Sequence, residues 1–179
     1  MMECILPLPP VSEDNLRMLR RIYTQCQRSI LFHRPVYGAK NTNYFIDDND
    51  LFDQIVEHIV RPLAINLDEI ENLWNSQDPE YNCKGINFNV LEQSDYLKPH
   101  IDYNPTKLNI LISGPTSNYI KFVNEGDTWD WTTPAIIDVS KLHYVTDDSA
   151  ITEPRVMMQI FLTKKFEYYR NNINLTPNW

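Results

Sequence analysis

The sequence predicts a mainly β domain, a sandwich or barrel, preceded by supporting helices. Three observations indicate this fold class. Helical spacing of apolar residues is confined to the N-terminal part of the 179-residue chain, roughly 1–80. From Lys84 onward, apolar residues alternate with polar ones or form short runs, which is typical of strands. These runs follow one another too closely for crossover helices, which argues against a parallel α/β sheet.

Two helices are predicted in the N-terminal region. Ser12 is a plausible N-cap, and the acidic residues after it favour the start of a helix over 13–28. A second helix is expected over 49–60, with His58 outside its apolar stripe. The other N-terminal segments are expected to be an extended stretch over 1–11, a loop over 33–46 and a short third helix over 67–74.

The β core is predicted over 84–165, followed by a polar, partly disordered tail over 166–179. Ile86, Phe88 and Val90 alternate with asparagines, as in a strand with two different faces. The predicted strands cover 86–90, 108–112, 119–123, 134–139 and 155–162. The whole chain is expected to be one domain.

Composition excludes several classes of function. The net charge of −8 argues against nucleic-acid binding, which needs a cationic face. The three cysteines are widely spaced, so neither a disulfide framework nor a cysteine metal site is indicated. No apolar run is long enough to cross a membrane, and no signal peptide is evident. We expect a cytoplasmic protein with no nucleic-acid or membrane partner.

The chemistry-bearing residues are His100 and Asp102, two apart at the end of an extended run. In extended chain, alternate side chains share a face, so both can bind one ion. A tight site needs a third ligand, and His143 is the one histidine downstream. Two histidines and one carboxylate form the facial set that holds Fe(II) and leaves coordination positions open.

Arg155 follows His143 and opens the apolar run 156–162. It shares a strand face with Met157, Gln159 and Phe161. If that face lines the barrel interior, the arginine needs an anionic partner there, and a guanidinium suits a carboxylate. The alternative is an arginine at a strand end that pairs with Asp147, Asp148 or Glu153.

This order of residues resembles that of the Fe(II)- and 2-oxoglutarate-dependent dioxygenases, over roughly residues 84–165. The prolyl hydroxylase and aspartyl/asparaginyl hydroxylase branches are the most similar. The resemblance implies a double-stranded β-helix, a jelly-roll or cupin-like barrel packed on the helices. It also implies Fe(II) on His100, Asp102 and His143, with 2-oxoglutarate and O₂ in the open positions and the distal carboxylate of 2-oxoglutarate on Arg155.

Five further residues are candidates for the site. Asn89 and Asn109 are candidate co-substrate contacts, although solvent-facing positions are equally consistent with the sequence. Aspartyl/asparaginyl hydroxylases carry a co-substrate-binding arginine near the place of Asn109, so this chain departs from that branch. Tyr103 is a candidate at the substrate mouth. Trp129 and Trp131 share a face by alternation, and packing residues are the alternative reading for all three aromatics.

The expected activity is hydroxylation of an amino-acid side chain, free or within a peptide. Proline ranks first because its ring needs only an apolar, aromatic slot, which Tyr103, Trp129 and Trp131 could supply. Aspartate or asparagine ranks second, since aspartate would need a further cation, for which Lys98 and Lys107 are near in sequence. Two alternatives stay open: a cupin-type metal enzyme that does not use 2-oxoglutarate, and a non-catalytic β-barrel binding module.

Overall fold

The computed structural model describes residues 2–27, 33–35, 41–46, 48–74, 82–92, 97–116, 119–145 and 153–179. Its helices are α1 (Glu13–Cys26), α2 (Asn49–Ile55) and α3 (Phe166–Asn172), with a π-helical turn Val56–Val60 after α2 and 3₁₀ turns Arg61–Leu63 and Leu67–Glu69. Its strands are β1 (Ile5–Pro7), β2 (His33–Pro35), β3 (Asn41–Phe45), β4 (Asn72–Trp74), β5 (Asn82–Lys84), β6 (Ile86–Leu91), β7 (Leu97–His100), β8 (Thr106–Ser113), β9 (Ile120–Phe122), β10 (Thr128–Trp129), β11 (Ala135–Ile137), β12 (His143–Val145) and β13 (Arg155–Leu162).

Eleven of the described strands form a large and a small antiparallel sheet, and β4 and β5 pair separately. The large sheet has the order β1-β11-β8-β13-β6-β3-β2, and the small sheet has the order β10-β9-β12-β7. From β6 to β13 the chain alternates between the two sheets, except where β9 and β10 pair as neighbours. This connectivity is that of a double-stranded β-helix, so the expected mainly β fold is confirmed. The five predicted strands are present as β6, β8, β9, β11 and β13, whereas β7, β10 and β12 of the small sheet were not predicted.

Side-chain alternation along β13 decides which residues lie inside the barrel. Val156 belongs to the larger apolar cluster, which lies between the large sheet and the helices. Its neighbour Met157 belongs to a second cluster together with Phe122 of the small sheet. Arg155, on the same face as Met157, therefore points between the two sheets.

The N-terminal helices cover the outer face of the large sheet. Leu19 and Ile22 on α1 are fully buried in the larger apolar cluster. The Ser12 hydroxyl caps α1 as predicted, and His58 is exposed on the turn after α2. Both predicted helices are therefore confirmed. Within the described residues, no helix combines the length and the apolar character needed to cross a bilayer.

Two predictions for the N-terminal region are wrong. The described part of the expected loop over 33–46 forms β2 and β3, which extend the large sheet beyond β6. The expected helix over 67–74 is a 3₁₀ turn followed by β4, which pairs with β5. In both places, hydrogen bonds from a neighbouring strand outweigh the local preference of the sequence.

The prediction of a partly disordered tail is also wrong. Residues 166–172 form α3, in which Phe166 and Tyr169 are buried. Trp179 is only 9% exposed, and its carbonyl accepts a hydrogen bond from the Ser12 N–H at 3.1 Å. The segment is polar on average, but three aromatic side chains bury enough apolar surface to fix it on the domain.

Candidate metal centre

The two predicted histidine ligands lie opposite each other in the small sheet. His100 ends β7 and His143 begins β12, and the antiparallel register pairs them directly. Their ring centroids are 4.5 Å apart. The His143 ring also packs 5.7 Å from the Phe122 ring on the other neighbouring strand, which holds it in the barrel.

Asp102 completes the cluster just beyond the end of β7. Its backbone N–H donates to the Val139 carbonyl at 3.0 Å, which fixes the chain as it leaves the strand. Its Oδ1 lies 3.6 Å from His100 Nε2, and its Oδ2 lies 3.7 Å from His143 Nε2. One ligand atom from each of the three residues lies within 4.8 Å of the others. The fold thus brings the three predicted metal ligands together.

Backbone carbonyls orient both imidazoles. His100 Nδ1 lies 2.6 Å from the Lys98 carbonyl, and His143 Nδ1 lies 2.8 Å from the Lys141 carbonyl. A carbonyl oxygen can only accept, so each Nδ1 carries the proton and donates it. Each Nε2 then presents its lone pair to the space beside Asp102. A hydrogen bond from the ring nitrogen that does not face the ion fixes the tautomer that a metal requires.

The electrostatics of the cluster keep Asp102 and His143 in the protonation states that bind cations. Burial by itself raises the pKa of Asp102, but the adjacent Lys107 ammonium and the two imidazoles bring it below its usual value. The Lys107 Nζ lies 2.6 Å from Asp102 Oδ2. Burial lowers the pKa of His143, against the opposing effects of the Lys141 carbonyl and Asp102. At neutral pH the cluster therefore offers one carboxylate and neutral imidazole at His143.

These donors fit Fe(II). Two imidazole nitrogens and one carboxylate oxygen form the facial ligand set of non-haem iron sites, and soft sulfur ligands are absent from the described cluster. All three residues line the same cavity of the barrel, so the side of the cluster that faces the cavity is open. The open side leaves room for further ligands on the metal.

The cavity has a volume of about 390 Å³ and extends from the histidines to Arg155. Arg155 is 3% exposed, and burial lowers its pKa to about 10, so it stays charged at neutral pH. Its guanidinium carbon lies 5.3 Å from the centre of the Trp131 ring, a cation–π arrangement. Of its alternative partners, Asp147 and Asp148 lie outside the described residues, and Glu153 is exposed.

The two predicted amide residues also line the cavity. Asn89 and Asn109 are buried, so the solvent-facing alternative is wrong for both. The Asn89 Nδ2 donates to Asn43 Oδ1 at 2.7 Å. Asn109 lies beside Gln159 on the adjoining strand, and its buried Oδ1 has no hydrogen-bond partner among the described residues.

The three predicted aromatic residues occupy different surroundings. Tyr103 stands at the rim of the cavity and is 98% exposed. Trp131 is buried and lines the cavity, whereas Trp129 lies outside it and donates from Nε1 to the Thr133 carbonyl at 3.1 Å. The expectation that the tryptophans share a face is wrong, because β10 ends at Trp129 and Trp131 adopts a φ of +64°.

Several lining residues were not predicted as part of the site. The polar ones are Asn43, Asn104 and Gln159, with Lys107 named only as a nearby cation. Alternation along β8 could have indicated Lys107, since it lies two residues before Asn109 and shares its face. Asn43 gave no comparable signal, because the strand that carries it was expected to be a loop. Lys98 is exposed and contributes its carbonyl to His100.

Known proteins are similar to this chain in structure and not in sequence. No protein-family model matches the sequence, and no curated protein is significantly similar to it. The structure is similar to an oxidoreductase of the 2OG-Fe(II) oxygenase family from Burkholderia pseudomallei, with 11% identity, a TM-score of 0.57 and coverage of 96% of this chain and 86% of that one. It is also similar to AviO1 from Streptomyces viridochromogenes Tue57, with 11% identity, a TM-score of 0.52 and 89% of each chain covered. The resemblance inferred from sequence is thus confirmed for the fold.

Proposed function

We propose that this protein is an Fe(II)- and 2-oxoglutarate-dependent oxygenase that hydroxylates an amino-acid side chain, free or within a peptide. The observation that carries the proposal is the position of two features in one cavity. Three ligand atoms lie within 4.8 Å of one another at the metal cluster, and the cavity beside them reaches the buried Arg155. A metal needs the first feature, and a dicarboxylate co-substrate needs the second.

Separate residues of the chain would bind the metal and the co-substrate. His100, Asp102 and His143 would hold Fe(II), with the carbonyls of Lys98 and Lys141 keeping both Nε2 atoms aimed at it. When bound there, Fe(II) and 2-oxoglutarate supply oxidative decarboxylation to succinate and CO₂, coupled to the transfer of one oxygen atom from O₂ into a C–H bond. The barrel walls exclude water from the reacting atoms.

Arg155 would hold the distal carboxylate of 2-oxoglutarate. Its burial makes an anionic partner worth more than it would be in water, and Trp131 stacks near the guanidinium so that its orientation is limited. Asn109 and Asn89 would border the co-substrate along its length. A cavity without a cation would not bind the distal carboxylate. Arg155 therefore supports the use of 2-oxoglutarate over a metal enzyme that does not use this co-substrate.

For the substrate, we keep proline and aspartate or asparagine together, because Tyr103 retains part of the aromatic slot expected for proline and Lys107 places in the cavity the further cation that aspartate would need. The metal cluster opens beside Tyr103, whose exposed ring is available to a ligand at the rim. Trp131 lines the cavity wall, but it stands with Arg155 on the co-substrate side. Trp129 lies outside the cavity and is withdrawn from the slot expected for proline.

An anaerobic titration tests the proposal. Fe(II) is added to the metal-free protein, followed by 2-oxoglutarate, while the visible spectrum is recorded. We expect a weak charge-transfer band that appears only when both are present, because 2-oxoglutarate would bind directly to the metal held by His100, Asp102 and His143. Tight Fe(II) binding without this band would indicate a metal protein that does not use 2-oxoglutarate. No Fe(II) binding would favour the non-catalytic module.

A further inference from the structure

Asn104 is a buried polar side chain in the wall of the cavity, apart from the metal ligands and from Arg155. It lies two residues after Asp102, is 7% exposed and lines the cavity near the rim. Its Nδ2 donates a hydrogen bond to Glu71 Oε2 at 3.2 Å. Among the described residues, none donates a hydrogen bond to its Oδ1. The carbonyl end of this amide is therefore left for a ligand.

The hydrogen bond to Glu71 decides which way the amide of Asn104 faces. A carboxylate can only accept a hydrogen bond, so the nitrogen of the amide turns towards Glu71 and the oxygen turns away from it. Glu71 is not among the described residues that line the cavity. The nitrogen of Asn104 thus points into the wall, and Oδ1 is the polar atom that it can offer to the cavity.

Backbone contacts hold both residues in place. The Asp102 N–H and the Pro105 carbonyl, on either side of Asn104, bond to the segment 139–140 at 3.0 and 3.3 Å. The proline also restricts the backbone of Asn104, the residue before it. Glu71 is fixed by backbone hydrogen bonds of 2.9 Å to β13 and 2.7 Å to the residue before β6. An acceptor held in this way loses little conformational freedom when a ligand binds.

This acceptor favours a positively charged N–H donor. An amide oxygen accepts and cannot donate, so it suits an N–H or O–H group and offers nothing to a carbonyl or a carboxylate oxygen. The Glu71 carboxylate lies on the other side of the same amide group. Its negative charge polarises the amide and strengthens Oδ1 as an acceptor. An ammonium group gains more from such a neighbour than a neutral N–H does.

We propose that Asn104 binds the α-ammonium group of a free amino acid, which is the substrate of the metal centre, and that Glu71 is the positioning residue for this contact. The inference rests on the proposed function. A residue within a peptide has a neutral nitrogen at that place, and proline within a peptide has no N–H there. The cavity volume of about 390 Å³ is near the lower end of the range for small-molecule sites, roughly 300–1,000 Å³, which suits a small substrate beside the co-substrate.

Calorimetry on the full chain tests this inference without turnover. The protein is loaded with Mn(II) and 2-oxoglutarate under anaerobic conditions and titrated with each of the twenty common L-amino acids. Every amino acid that binds is compared with two analogues. One is its des-amino acid, in which hydrogen replaces the ammonium group (cyclopentanecarboxylate in the case of proline). The other is its N-acetyl α-carboxamide, which stands for a residue within a peptide.

Three changes to the chain accompany these titrations. Asn104→Leu removes the acceptor at similar size, and Asn104→Ala takes its place if the leucine variant does not fold. Glu71→Gln removes the charge and keeps an oxygen that can accept from Asn104. Asp53→Asn, at an exposed carboxylate on α2, is the matched control for loss of a negative charge. The free energy of unfolding and the Kd for Mn(II) are measured for every variant.

We expect at least one amino acid to bind the wild type more than about tenfold tighter than either analogue, as for a hydrogen bond to a charged group. Loss of the Asn104 side chain should weaken that amino acid by about ten- to a hundredfold and leave its des-amino acid unchanged. Glu71→Gln should weaken it by about three- to tenfold, and Asp53→Asn should behave as wild type. A bond that served only the fold would instead lower stability and weaken amino acid and analogue equally.

Several results would overturn the inference while leaving the oxygenase assignment intact. They are equal affinity for an amino acid and its des-amino acid, a preference for the ammonium group that survives loss of the Asn104 side chain, and binding of the capped residue as tight as that of the free one. Binding of Mn(II) and 2-oxoglutarate with no amino acid bound would overturn it as well. Unchanged affinities in Glu71→Gln would overturn the role of Glu71. If the wild type bound neither Mn(II) nor 2-oxoglutarate, the proposed function itself would fail, and this inference with it.

Discussion

His100 and His143 lie directly opposite each other on neighbouring antiparallel strands, with their ring centroids 4.5 Å apart. Strand pairing therefore sets the distance between two candidate metal ligands that are far apart in sequence. Asp102 is added by the chain that continues from β7, so three ligands depend on one strand pair. The relative positions of the three side chains therefore depend on the backbone of the small sheet.

Replacing His143 with Ala should abolish Fe(II) binding, because two remaining ligands hold iron poorly. The measurement is calorimetry with Fe(II) under anaerobic conditions. His58→Ala is the control, since His58 is an exposed histidine on the turn after α2. Full iron occupancy in His143→Ala, at unchanged stability, would remove His143 from the ligand set.

Replacing Arg155 with Ala should raise the Kd for 2-oxoglutarate by on the order of a hundredfold or more, because it removes one partner of a buried ion pair. Iron binding should stay nearly intact, since Arg155 lies away from the metal ligands. Calorimetry of the Mn(II)-loaded protein with 2-oxoglutarate measures both quantities. The control is Arg17→Ala, an exposed arginine on α1. If 2-oxoglutarate bound equally well and succinate formation were unchanged, Lys107 and Lys121 would be tested next.

Replacing Gly114 with Ala should destabilise the protein by about 3 kcal/mol or more and also weaken 2-oxoglutarate binding. Gly114 has a φ of +102°, and a Cβ there would lie 2.5 Å from the Pro154 carbonyl and 2.7 Å from the Arg155 Cα. Relief of that overlap moves the backbone that carries Arg155.

Gly126→Ala is the matched control for this change. Gly126 also has a positive φ, of +76°, but a Cβ there meets nothing within 4 Å. We expect it to cost only about 1 kcal/mol and to leave 2-oxoglutarate binding unchanged. Chemical denaturation and calorimetry compare the two variants. Equal effects on 2-oxoglutarate would mean that the position of Arg155 does not depend on Gly114.

Replacing Trp179 with Ala should cost about 3 kcal/mol of the free energy of unfolding, because the side chain is 9% exposed and packs into the larger apolar cluster. The comparison is Leu175→Ala, at a leucine in the same tail that is 49% exposed and should lose less than about 0.5 kcal/mol. Denaturation with urea measures both. Similar small losses would show that the tail does not stabilise the domain.

Stability should fall as the pH rises above about 9, in part because of Cys4. Burial, followed by the nearby carboxylates Glu125, Asp138 and Asp127, raises the pKa of this thiol from 9.0 to about 12. The unfolded chain loses the thiol proton above its lower pKa, whereas the folded chain keeps it, so deprotonation favours unfolding between these two values. Cys4→Ala should therefore show a smaller loss of stability between pH 8 and 10 than the wild type. Identical pH dependence in the two proteins would exclude this contribution.

The sequence by itself determined the two N-terminal helices, the strands β6, β8, β9, β11 and β13, and the identities of His100, Asp102, His143 and Arg155 as candidates for one site. Each depends on local information. Helical or two-residue periodicity can be recognised from consecutive residues alone. A histidine and an aspartate two apart in extended chain must share a face.

Only the tertiary structure decided how the remaining segments fold and what surrounds the metal cluster. β3 is rich in asparagine and becomes a strand because β6 supplies its hydrogen bonds, and the tail is fixed because its aromatic residues find a core to enter. Lys107 reaches Asp102, and Trp131 reaches Arg155, through contacts between strands and loops that no local pattern specifies. Strand pairing, burial and charge depend on residues distant in sequence, so their outcome is fixed when the sheets assemble.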